Sequence, residues 1–177
     1  MKGEKVVAAV FGVIIAAFAV LIVWTVMADN NGDDGQYDGY IGNYATYNTS
    51  SFLYSGTFKI EITDVNNDTG EFKYTTTWSF RSAFLGIFEN GSSEQWTPSS
   101  EDRINNPFAS ADTVELKGTE TIFTKDGRKQ TNVLLLTLPE MIVTVWIGDD
   151  NNILYRMEMP MEGIGTVTWN LNSMNIS

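Results

Sequence analysis

Cysteine and histidine are both absent from the 177 residues. Without cysteine there is no disulfide framework, no thiol nucleophile and no thiolate metal or iron–sulfur site. Without histidine there is no Ser-His-Asp triad, no HExxH metal site and no imidazole proton shuttle. Positive charge is scarce as well: 11 Lys+Arg stand against 22 Asp+Glu, a formal net charge of −11. A chain of that sign repels phosphate backbones, which argues against nucleic acid as a partner. No GxSxG, P-loop or GxGxxG pattern occurs. These absences point away from an enzyme and away from any cofactor.

What the chain does have begins near its first residue. Val6 to Ala28 contains no charge, and Thr25 is its one small polar side chain. About 20 apolar residues cross the hydrocarbon core of a bilayer as a helix, because in lipid the backbone must satisfy its own hydrogen bonds. Lys2 and Lys5 precede this run, whereas Asp29, Asp33, Asp34 and Asp38 follow it and no further cation occurs until Lys59. The positive-inside rule then places residues 1–5 in the cytoplasm, a transmembrane helix at 6–28, and the rest outside the cell membrane. A cleaved signal peptide would have a shorter apolar core, so the length favours an uncleaved, single-pass anchor. Residues 29–39 hold four Asp and three Gly. They cannot bury enough apolar area to offset their ordering entropy, and an acidic flexible linker is expected. Lys2-Gly3 before a hydrophobic helix, followed by a Thr- and Asn-laden head, is similar to archaeal type IV pilins. That resemblance implies a surface filament subunit as the alternative to a membrane-anchored domain.

Residues 40–177 form the predicted extracytoplasmic domain, long enough for one modest core. Alternation predicts strands. Phe58, Ile60 and Ile62 share one parity, and Phe72, Tyr74, Trp78 and Phe80 share another, with a turn at Asn66–Gly70 between them. Further strands are expected at 113–117, 119–125, 131–138, 141–147, 153–159 and 163–171. Asp126-Gly127 marks a tight hairpin. Val133-Leu134-Leu135-Leu136 is apolar on both faces, which predicts a central strand ending at Pro139. The stretch 82–108 breaks the pattern, and a short helix or long crossing loop is expected there. The fold class is therefore an N-terminal transmembrane helix plus a mainly-β domain, a curved antiparallel meander built as a half-barrel or a sandwich.

Candidate sites are sparse. Asp64, Asn66 and Asp68 have the oxygen spacing that begins a calcium loop, but the glycine is displaced and the bidentate Glu is missing. An Asn/Asp-rich hairpin turn is the preferred reading. Glu101 and Asp102 are the one loop pair of acids beside aromatics, a weak signature for glycoside hydrolysis. Sequons occur at Asn48, Asn67, Asn90 and Asn175. Four tryptophans lie in the head, and most should be core. Phe84, Phe88, Trp96 and Trp146 are the aromatic candidates for contacting an apolar ligand.

The segment Gly118–Gly127, the run Val133–Leu136 and the hairpin Val143–Arg156 together resemble the meander of LolA/LolB-like half-barrels. In that family a strongly curved antiparallel sheet holds lipid or lipoprotein acyl chains on its concave face. The resemblance implies a non-catalytic binding or structural module of the cell envelope. Its expected partners are membrane lipid, an envelope protein or an apolar ligand.

Overall fold

The computed structural model describes residues 40–82, 86–96, 111–139, 141–161 and 165–176. The span at 6–28, the linker at 29–39, Phe84 and the Glu101–Asp102 pair lie outside these residues. Among the described residues no helix is long and apolar enough to cross a membrane.

Nine strands are present: β1 (Tyr44–Ser50), β2 (Ser55–Asn66), β3 (Glu71–Ser82), β4 (Ile87–Trp96), β5 (Thr113–Thr124), β6 (Gly127–Leu138), β7 (Met141–Gly148), β8 (Leu154–Met161) and β9 (Gly165–Asn175). They form one sheet in the order β4-β3-β2-β1-β9-β8-β7-β6-β5. Every neighbouring pair is antiparallel. Two meanders thus meet where β1 pairs with β9, and β4 and β5 are the two free edges. The expected meander exists as one open sheet, not as two stacked sheets.

The β2–β3 hairpin follows the alternation read from the sequence. Phe58 pairs with Trp78, and Ile62 with Tyr74. Its turn is held by the Asn66 carboxamide, whose Oδ1 accepts from the backbone N–H of Asp68 at 3.1 Å and of Thr69 at 3.3 Å. Gly70 closes the turn at φ +67°, a left-handed conformation that glycine adopts without strain.

Three expectations are corrected. The stretch 82–108 is neither helix nor loop throughout, because Ile87–Trp96 forms edge strand β4. An edge strand faces solvent, so it carries polar side chains and hides its period. The strands expected at 113–117 and 119–125 are one strand, interrupted by a register shift between Leu116 and Gly118. Gly118 adopts φ +140° at this bulge, which is why a single strand read as two. Finally, β6 is not central: it lies second from the free edge. It is apolar on both sides because Leu134 and Leu136 belong to one buried cluster, whereas Val133 packs on another across the sheet.

The larger cluster occupies one face, here called the inner face. Tyr47, Phe58, Ile60, Ile62, Phe72, Leu136, Val143, Val145, Leu154, Met157, Met159 and Trp169 are all at most 4% exposed within it. A nine-strand sheet twisting about 20–25° per strand coils strongly. The coil is directly visible at the other face. Ile122 of β5 clusters with Ile153, Tyr155, Leu171 and Ile176, although β5 and β9 are four strands apart in the sheet. The β5–β6 hairpin must therefore curl over the reverse face to reach them.

Candidate ligand-binding site

The inner face is built from alternate residues of every strand except the far part of β4, and its side chains change character along the sheet. On β1–β3 the rings Tyr47, Phe58, Phe72, Tyr74 and Phe80 join the aliphatic Ala45, Ile60 and Ile62, with Trp78 half-buried. On β6–β8 they are Leu134, Leu136, Val143, Val145, Met157 and Met159. Met141, Met161 and Met174 border the same cluster. Five of the chain's seven methionines therefore pack on this face. Thioether chains have several rotatable bonds and adapt to irregular apolar shapes.

Burial is complete in the middle of the face and falls away towards edge β5. Val114 lies opposite Leu136, and Leu116 opposite Leu134. Residues directly opposite in an antiparallel pair share a face, so both point to the inner side. Yet Val114 is 45% and Leu116 61% exposed. Leu134, opposite Leu116, is half-buried, and Leu138, Met141 and Met161 are half-buried at the border of the core. An apolar ramp thus runs from solvent at β5 to the fully buried centre.

At the centre stands Trp169. It is 0% exposed, with Phe58 at 5.0 Å and Tyr47 at 6.4 Å between ring centroids. Its indole N–H is buried and has no acceptor. A buried donor left unpaired costs about 1–3 kcal/mol. Tyr47, by contrast, donates its hydroxyl to the Leu154 carbonyl at 2.9 Å. Tyr74, also on this face, donates to Gln95 Oε1 at 2.9 Å, and burial pushes its phenol above the usual value.

The described aromatic candidates, Phe88, Trp96 and Trp146, are scattered. Phe88 and Trp96 lie at opposite ends of β4 on the outer side; they pair with Arg81 and Lys73 respectively. They are 68% and 46% exposed. The Lys73 ammonium meets Glu94 at 2.7 Å, and that hydrogen bond raises its pKa above the usual value. Trp146 is on the reverse face of β7, 7% exposed. Its indole donates to Glu120 Oε2 at 2.7 Å, and the Arg156 guanidinium lies 4.7 Å above its ring. Arg156 pairs in turn with Glu158. A cleft of about 280 Å³ adjoins this cluster, lined by Glu120, Ile122, Phe123, Tyr155, Arg156 and Asn170. Trp146 sits beneath Arg156, so anything entering the cleft meets the guanidinium before the indole. Phe88, Trp96 and Trp146 do not come together in one site.

Two of the three possible metal ligands hydrogen-bond to backbone. Asp64 Oδ1 accepts from the Val65 N–H at 2.9 Å, and Asn66 caps its own turn. Among the described residues no three His, Cys, Asp or Glu side chains gather as a metal site. The ramp itself was not anticipated. Its signal was available in the alternation of Met157, Met159 and Met161 and in the apolar pair Val114 and Leu116, which a split strand obscured.

No family model matches the chain, and no curated protein matches it. Some solved structures align with part of it at low similarity. MucB, crystallised with MucA(peri), is 13% identical with a TM-score of 0.44, covering 76% of this chain and 49% of MucB. MucB also appears as the MucA/MucB complex of Pseudomonas aeruginosa. The chain thus spans about half the length of the MucB chains it matches. A protein of Parabacteroides distasonis assigned as a lipoprotein is 10% identical with a TM-score of 0.43, covering 76% of this chain and 95% of its own. A DUF1329 family protein of Desulfovibrio piger is 10% identical with a TM-score of 0.33, covering 92% of both chains.

Proposed function

We propose that this chain is a single-pass, membrane-anchored extracytoplasmic domain serving the cell envelope as a non-catalytic binding module. Its ligand is an apolar molecule or lipid taken up at the exposed β5 margin of the inner face. The observation that carries the reading is the ramp: Val114 and Leu116, exposed at the edge, are continuous with a wholly buried apolar face. An exposed apolar margin rimmed by polar residues marks an interaction site more often than it marks a packing defect. Methionines along the border can repack around an acyl chain. The charge-free run at 6–28, with its lysine and aspartate flanks, supports the anchor and the outward orientation.

Native mass spectrometry of the full chain, extracted from its own membranes, tests the ligand. The expected result is a retained lipid or fatty acid in near-stoichiometric amount. A bare polypeptide mass under conditions that preserve the fold contradicts it. Trypsin added to intact cells tests placement: the head should be digested, and its protection contradicts an external domain.

A further inference from the structure

We infer that the outer face of β1–β4 carries a binding site for an acidic saccharide, centred on Arg81 and Phe88. The strand register lays two rungs across this face. Ser50 is opposite Ser55, Ser55 opposite Arg81, and Arg81 opposite Phe88. On the next rung Asn48 is opposite Thr57, Thr57 opposite Ser79, and Ser79 opposite Asn90. With neighbouring strands about 4.8 Å apart, the rungs form a plate of hydroxyls and carboxamides bearing one cation and one aromatic ring. An open dish of about 430 Å³ lies over it, lined by Asn48, Ser55, Thr57, Ser79, Arg81 and Phe88.

Charge selects the ligand. The chain holds twice as many acids as bases, and the other described cations of β1–β4 are matched: Lys59 with Glu61 at 2.6 Å and Lys73 with Glu94 at 2.7 Å. Arg81 alone among them meets no carboxylate. Its one hydrogen bond is a long one, from Nε to Ser55 Oγ at 3.4 Å. A guanidinium presents a fork of donors that fits a carboxylate bidentately. Phe88, 68% exposed, offers a flat apolar ring beside that fork. A sugar ring has an apolar C–H face to lie on the phenyl group and hydroxyls to meet Ser55, Thr57, Ser79 and Asn48. A uronate supplies the anion as well. The overall charge of −11 opposes any anion at long range, but at physiological ionic strength that repulsion is screened beyond about 8 Å.

Two sources supply such a sugar. Asn48 and Asn90, which flank the dish, each begin a sequon and are exposed. The saccharide is therefore either a glycan on the chain's own asparagines or an envelope polymer.

The site lies across the sheet from the apolar ramp, so its test is independent of lipid binding. Full-length chain made in a host without N-glycosylation is titrated calorimetrically with tetragalacturonate, neutral galactotetraose and inorganic phosphate. Binding of the acidic tetrasaccharide is expected, at least tenfold tighter than either control. Arg81→Gln should weaken it at least tenfold and Phe88→Ala several-fold, whereas Lys73→Gln leaves it unchanged. Failure to bind tetragalacturonate, equal binding of phosphate, or an unaltered Arg81→Gln titration overturns the proposal. Peptide mass spectrometry of the chain from its native membranes separates the sources. A uronate-bearing glycan on Asn48 or Asn90 identifies the chain's own sugar; bare asparagines beside a positive titration identify an envelope polymer.

Discussion

Strands β1–β3 and strands β6–β8 bury the same face of one sheet with different chemistry. The first set adds the stiff rings Tyr47, Phe58, Phe72, Tyr74 and Phe80 to the aliphatic Ala45, Ile60 and Ile62, with Phe58 held in tilted contact against Trp169 at 5.0 Å. The second uses Leu136, Val143, Val145, Met157 and Met159, without one aromatic. Trp169 stands at the seam. Rings resist repacking because each locks several neighbours. Methionine chains change shape at little expense. Under the proposed function, the ring-rich half serves as scaffold and the methionine half, which ends at the exposed β5 margin, accommodates the ligand.

Substitutions can break or sharpen that contrast. The largest effect is expected from Phe58→Ala, which removes a ring 1% exposed and in contact with Trp169. A loss of about 3–5 kcal/mol in urea unfolding is expected for such a cavity. Met157→Leu, at a residue equally buried, conserves volume and should lose less than about 1.5 kcal/mol in the same assay. Equal losses at the two positions remove the distinction. Leu116→Glu alters only the exposed margin, so stability should stay within about 0.5 kcal/mol of wild type. Lipid retention by the full chain should nevertheless fall sharply. Retention unchanged by that charge detaches the margin from ligand entry.

The smallest effect concerns pH. Burial raises the Tyr74 phenol above its usual value near 10. The folded state then holds its proton more tightly than the unfolded state. The associated stability is fully present below pH ~10 and is lost as pH rises through the folded pKa. Tyr74→Phe should flatten the decline of melting temperature above pH ~10, leaving a residual slope from Tyr54, whose phenol burial also raises, and from Lys73, whose pKa is raised by Glu94.

Much of the sheet was readable from residue order. The β2–β3 hairpin was, because Phe58, Ile60 and Ile62 alternate strictly and Asn66–Gly70 has turn chemistry. The β5–β6 hairpin was, because Gly127 reaches φ +103° where the chain reverses. Strand β1 was missed: in Tyr44–Ser50 only Ala45 and Tyr47 are buried apolar residues, too few to set a period. Strand β4 was missed for a related reason. Its inner-side Gly91 is covered by Trp78 from the neighbouring strand, so close that an added Cβ would lie 2.5 Å from the indole. The burial signal therefore sits on β3 and not on β4. The centrality assigned to β6 failed because apolar residues on both faces can also follow from a hairpin that curls over its own sheet. Site residues were harder. Aromatic type alone picked Phe88, Trp96 and Trp146, which the register distributes over separate parts of the sheet's outer side, whereas the ramp depends on pairing partners that only the folded register assigns.

The most direct test of the inner-face account is photolabelling of the full chain in vesicles containing a phospholipid with a diazirine on its acyl chain, followed by peptide mapping. The account predicts adducts on inner-facing residues of β5, β6 and β8, with Leu116, Leu134 and Met161 foremost. Adducts confined to residues 6–28, with none on those strands, would contradict it.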